Sequence, residues 1–128
     1  MCCNENCEGL TNTLRTIIKL QKQGNCIDDN MSCDRPFLGM GSNNALNTRP
    51  ISFYTCPSNT LWTMPYTSEA GDGTSSVFRV EQVEDCCCTC RVLRPTETSY
   101  ESTNSFFTIN LNCIGALRCL DDIYIPCI

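Results

Sequence analysis

Thirteen cysteines stand in 128 residues that contain no histidine. Thiols form disulfides, bind soft metals or attack as nucleophiles, and each role needs companions at a set spacing. Cys87-Cys88-Thr89-Cys90 is a formal C-x-x-C. A structural zinc site wants a second such pair or histidines, on knuckle turns. Here both are missing, and a strand would splay the ligands. A redox C-x-x-C belongs at a helix N-terminus, and this one reads as strand. Ser or Cys catalysis lacks its histidine base. The pairs Asp28-Asp29 and Asp121-Asp122 read as turn or cap residues rather than acid/base dyads. Gly39-Met40-Gly41-Ser42 has no following Gly-Lys and no strand-to-helix setting, so it is no phosphate loop. Glu69 and Asp72 lack the ligand spacing of a calcium-binding hand. The expectation is therefore no enzyme, no catalytic residue, no cofactor and no metal site. Disulfide chemistry is left as the main reading, with a thiolate metal binder or a small secreted disulfide scaffold as alternatives.

The positions of the cysteines divide them. Thirteen is odd, so at least one cannot pair within its own chain. Cys2, Cys3 and Cys7 lie in a polar N-terminal stretch and Cys127 is next to last. Tails bury little, so packing does not account for these thiols, whereas reach toward a neighbouring subunit does. Cys7 and Cys26 bracket a helical pattern. Nineteen residues at about 1.5 Å of rise put them roughly 28 Å apart, far beyond the ~7 Å between Cα atoms that a disulfide tolerates. Each must look elsewhere. Strand alternation puts Cys88, Cys90 and Val92 on one face and Cys87, Thr89 and Arg91 on the other. The face with Arg91 is the outer one, which exposes Cys87. Cys88 and Cys90 are then either small core residues or members of internal bonds. The candidates for bonds between subunits are Cys2, Cys3, Cys7, Cys26, Cys87 and Cys127. Cys33, Cys56, Cys86, Cys88, Cys90, Cys113 and Cys119 are expected to be intramolecular or in the core.

The elements that must carry these thiols follow from periodicity. Leu10, Leu14, Ile17 and Ile18 share one face of a helix over 8–24, with Glu8 at its start and lysines near its end. Residues 25–50 are loop-rich in Asn, Asp, Ser, Gly and Pro. Strand-like runs follow at 51–55 and 60–64, joined by a turn at Cys56-Pro57-Ser58-Asn59, then at 77–83 and 87–93, turning at Glu84-Asp85. Residues 67–76 and 96–105 read as polar connections. Residues 106–112 alternate as another strand, 113–122 are ambiguous, and 123–125 form a weaker candidate. The expected architecture is α+β in a single domain over 1–128. A Cys-rich arm (1–7) and the helix precede a β domain (51–125), and a tail (126–128) closes the chain. The β domain is an antiparallel β-sandwich or barrel-like sheet of about six short strands.

Bulk composition narrows the partners. With 41% apolar residues the chain resembles an ordinary globular protein and does not need disulfides to fold. The net charge of −5, with no Lys/Arg cluster, argues against nucleic acid. No apolar run approaches a membrane span. The N-terminus lacks a basic start and apolar core, so it does not read as a secretory signal.

Several segments together resemble a known family. Asn47-Thr48-Arg49-Pro50 leads to Tyr54-Thr55, followed by the run Val77-Phe78-Arg79-Val80-Glu81-Gln82-Val83. The Cys-rich strand ends in Arg91-Val92-Leu93, and Leu111-Asn112-Cys113 leads to Cys119-Leu120-Asp121-Asp122. Their order and spacing, from about Cys7 to Ile123, are similar to the spore coat Y/Z family of Bacillus-type endospore formers, which includes the exosporium Y protein. The resemblance implies a protein that self-assembles into crosslinked, often hexagonal, two-dimensional arrays in the outer coat or exosporium. It implies synthesis in the mother-cell cytoplasm and oxidation as the spore matures. It also implies other coat or exosporium proteins as partners, beside further copies of the chain in a hexamer-based lattice.

Overall fold

The computed structural model describes residues 7–23, 46–125 and 128. Cys2, Cys3, Cys26, Cys33 and Cys127 therefore lie outside the described residues, as does Gly24, the expected last residue of the helix.

Helix α1 runs Glu8–Gln23, opening with the bond from the Thr11 amide to the Cys7 carbonyl. Its buried stripe is Thr11, Leu14, Ile17 and Gln21, with Leu10 and Ile18 at its margins. The apolar part of that stripe is the one the spacing predicts. Gln21 is the addition, and it works as a clamp. Its Nε2 donates to the Val80 carbonyl at 2.9 Å, and its Oε1 accepts from the Arg49 amide at 3.0 Å.

Among the described residues eight strands follow: β1 (Ile51–Thr55), β2 (Thr60–Leu61), β3 (Met64–Tyr66), β4 (Gly73–Ser75), β5 (Phe78–Glu84), β6 (Cys87–Pro95), β7 (Tyr100–Asn110) and β8 (Ile114–Cys119). Six of them form one antiparallel sheet, and β3 and β4 form a separate two-stranded ribbon. Ile51 is flanked by Phe78 and Cys119, and Tyr54 by Leu61 and Ala116. So β8 covers one side of β1 while β5 and β2 share the other, and β6 and β7 extend beyond β5. Among the described residues no strand joins β7 to β8, which leaves these two as the sheet's outer strands.

Helix and sheet give the expected α+β class. The core holds Leu14 and Ile17 of the helix against Ile51, Phe53, Phe78, Val80 and Val92, all 2% exposed or less. The Phe78 ring stacks on Phe53 and meets Phe107 edge-on at 4.7 Å. The ribbon packs on β6 and β7.

Several boundaries differ from the sequence expectation. The run at 60–64 is two strands rather than one. The Trp62 amide donates to the Phe53 carbonyl, after which the chain leaves β1 to begin the ribbon. Part of the 67–76 loop is β4, paired with β3 through Tyr66↔Gly73. The polar stretch before Phe106 belongs largely to β7: Ser102 and Asn104 face solvent on this outer strand, while the buried Thr103 hydroxyl donates to the Val92 carbonyl and Ser105 accepts from the Thr67 amide. The ambiguous 113–122 region resolves into a 3-10 turn at Leu111–Cys113 and then β8. Ile123 makes only an isolated bridge with Thr48.

Candidate functional site

The β5–β6 hairpin turns through Asp85 and Cys86, with Asp85 at φ 52°, a conformation Asp tolerates. The turn is held from two sides. The Thr11 hydroxyl donates to the Asp85 carbonyl at 3.0 Å, and the Leu111 amide to the Cys86 carbonyl at 2.7 Å. There Cys86 forms a disulfide with Cys7, their Cα atoms 5.9 Å apart and 79 residues apart in sequence. Cys7 was expected to cross between subunits from a free arm. It is instead buried and bonded within its own chain, because the helix packs on β5 and brings its first turn to this hairpin.

Cys56, in the β1–β2 turn, is also disulfide-bonded. Its amide donates to the Cys113 carbonyl, so the turn sits against the start of β8. Cys113 is exposed rather than packed in the core.

Along β6 the cysteines alternate. Cys87 is exposed and unbonded, while Cys88 and Cys90 are completely buried on the face that also carries Val92. Their sulfurs are 3.5 Å apart. Burial above all, then the neighbouring Cys88 thiol, pushes Cys90 well above the ordinary thiol range. A thiol held protonated in the core is a poor nucleophile and a poor metal ligand.

Cys119 overturns its expected place among the internal or core cysteines. It is the last residue of β8, opposite Ile51, and its thiol is unbonded and exposed. It opens on a cleft of about 430 Å³ shared with Tyr100, Arg118 and Leu120. The outward position follows from the strand ending there, where no further residue of β1 covers it. A cysteine just before the polar Asp121-Asp122 pair was the available signal in the sequence.

Exposed, unbonded Cys87 and Cys119 sit at opposite ends of the sheet. Cys119 lies in the row of Ile51, Phe78 and Val92, and Cys87 in the row of Glu84 and Asn110. The β5 stretch from Phe78 to Glu84 separates these rows, about 20 Å at strand rise.

A polar network fixes the frame that holds these ends. Arg79, only 6% exposed, donates to the Thr48 hydroxyl, the Asn47 carbonyl and Glu81. Arg91 donates to the same Glu81 oxygen and to the Thr103 carbonyl, and stacks over Phe106. Arg49 grips Asp122 with two bonds of 2.7 and 2.9 Å. The four sequence segments that resemble a family therefore meet in one connected structure.

Among the described residues no group of three or more Cys, Asp or Glu is arranged to hold a metal, and no helix is long and apolar enough to cross a membrane.

Fold and thiols together define a cysteine-rich α+β domain, stitched by disulfides inside and carrying unbonded thiols outside. The family described as Spore coat protein Z matches residues 2–105, and the chain belongs to it. That membership gives the chain a structural role in the spore coat, at the spore surface. No curated protein and no solved structure matches the chain.

Proposed function

We propose that this chain self-assembles into an array in the outer coat or exosporium that is locked by disulfides between subunits, giving the spore mechanical and chemical resistance. Two exposed, unbonded thiols at opposite ends of one rigid sheet carry the reading. A subunit with one reactive end makes only dimers, whereas a subunit with two reactive ends propagates. The edges of β7 and β8, unpaired among the described residues, supply backbone donors and acceptors for non-covalent tiling that precedes the bonds. Cys2, Cys3, Cys26 and Cys127 remain candidates for further crosslinks, and a hexamer is the expected repeat. The subunits are made in the mother cell, deposited on the forespore, and oxidised there alongside other coat or exosporium proteins. Each bond locks interfaces that are individually weak, so resistance to denaturant depends on oxidation.

The test expresses the chain in a reducing cytoplasm and blocks thiols at lysis in one half of the preparation. The other half is oxidised with a glutathione redox buffer. The expected result is a reductant-sensitive ladder on gels and ordered particles by negative-stain microscopy in the oxidised half. A monomer that neither ladders nor forms particles sinks the reading.

A further inference from the structure

The Cys7–Cys86 disulfide is not sealed in the core. Both residues line an open cleft of about 350 Å³, together with Thr11, Arg15 and Asp85. The two sulfurs differ. Cys7 is 8% exposed and directly precedes the 16-residue α1, whose first amides and dipole favour negative charge. Cys86 is half-buried on the hairpin turn. The Thr11 hydroxyl lies 3.0 Å from the Asp85 carbonyl and 3.6 Å from the Cys7 sulfur. Its one proton has two acceptors within reach. An attacking thiolate therefore meets Cys86 as the more open sulfur and Cys7 as the better leaving group.

The attacker is identified by elimination among the described thiols that are exposed and unbonded. Cys88 and Cys90 are buried. Cys87 adjoins Cys86, and a bond between sequence neighbours would strain the peptide unit joining them; from a second copy, Cys87 would join hairpin end to hairpin end and close a dimer instead of extending an array. Cys119 of the same chain is about 20 Å away along the strands, against the ~7 Å a disulfide tolerates. The Cys119 that reaches Cys86 must come from another molecule.

We propose that the Cys7–Cys86 disulfide is a thiol–disulfide exchange site attacked by the Cys119 thiolate of a second copy of this chain. The Cys119 sulfur bonds to Cys86 Sγ as the Cys7–Cys86 bond breaks, and the electron pair leaves on Cys7 Sγ. The Thr11 hydroxyl turns from the Asp85 carbonyl to the new thiolate. The proton that Cys119 lost to water is regained by Cys7. Nothing is oxidised or reduced overall, so the link forms without an external oxidant. It joins opposite ends of two subunits, a head-to-tail contact, and each exchange frees a Cys7 thiol. This inference rests on the reading of the chain as self-crosslinking.

The test uses the full chain with Cys7–Cys86 intact, freed of oxygen and redox buffer, then quenched with iodoacetamide and peptide-mapped by mass spectrometry. The expected product is a Cys119–Cys86 linked peptide with a matching amount of alkylated Cys7. Thr11→Val slows its appearance at least about tenfold, the loss of one hydrogen bond to a charged sulfur, and Thr11→Ser restores it. In a second arm a biotinylated small thiol replaces Cys119 as attacker; it attaches to Cys86 and exposes Cys7. Attachment at Cys7, or no adduct at Cys86 in either arm, overturns the proposal. Should a Cys7→Ser/Cys86→Ser variant ladder in glutathione buffer while the wild type makes no anaerobic link, this inference fails and the crosslinking function stands. If the wild type never ladders under oxidant, that function fails, and the small-thiol arm still decides the chemistry of the site.

Discussion

The Asn47 side chain holds both backbone groups of Ile125. Its amide donates to the Ile125 carbonyl at 2.6 Å, and its Oδ1 accepts from the Ile125 amide at 2.9 Å. Asn47 is completely buried, so it acts as a one-residue strand that fastens the closing segment to the entry of β1. Asn47→Ala leaves two backbone groups without partners and is expected to destabilise the thiol-blocked protein by about 3 kcal/mol. Urea unfolding measures this; an unchanged midpoint would refute the role.

Glu81 takes two guanidinium bonds on one oxygen, from Arg79 at 2.8 Å and Arg91 at 3.1 Å. Glu81→Gln keeps the shape and removes the charge between two largely buried cations. The expected loss is about 2 kcal/mol. A neutral outcome in the same assay would mean that water already screens the pair.

The Arg49 bond is the first cause holding Asp122 below the usual carboxylate range. A depressed carboxylate contributes stability that is present above its unfolded pKa and is lost as pH falls through the folded value. The relevant window lies below about pH 4. Both side chains are more than a third exposed or close to it, so screening keeps the contribution small. Urea midpoints of wild type and Asp122→Asn should differ slightly at neutral pH and converge in acid. A gap that widens in acid contradicts this assignment.

Thiol accessibility offers a direct readout of the cysteine classes. A brief pulse of iodoacetamide on the folded protein is expected to label Cys87 and Cys119 and to spare Cys88 and Cys90 until denaturant is added. Cys88→Ala and Cys90→Ala should each lower stability by about 1 kcal/mol through lost packing and leave the crosslinked ladder unchanged. Loss of the ladder in either variant would give these buried sulfurs a part in assembly.

Cys7→Ser removes a bond that closes a loop of nearly eighty residues. On the chain-entropy account that bond stabilises the fold by up to roughly 4 kcal/mol, so the variant's urea midpoint should drop well below wild type under oxidising conditions and match it once both are reduced. Equal midpoints in both states would show that the packing of α1 on β5 holds the helix unaided.

Local patterns made much of this fold readable. The helix stripe of Leu10, Leu14, Ile17 and Ile18, and the inward face of Cys88, Cys90 and Val92, follow from periods of 3.6 and 2. Long-range placement did not follow. Nothing in the spacing of Cys7 and Cys86 reveals that α1 docks with its first turn on the β5–β6 hairpin, so an internal bond read as a free arm. Cys119 carried the converse error, because a strand's last residue is core or surface depending on how far its neighbour extends. Arg79 reads as a surface charge by type, yet the three groups it serves come from residues distant in sequence or on its own strand.

While the Cys7–Cys86 bond is closed, it also fixes where tension travels. A pull applied through the N-terminal residues passes at Cys7 into Cys86 and the β5–β6 hairpin, bypassing the turns of α1. Stress entering from that side is delivered to β5 and β6 at their shared turn, in the middle of the sheet. Opening the bond reroutes the same pull through the helix, which unravels one turn at a time. A single covalent link thus decides whether α1 carries the load.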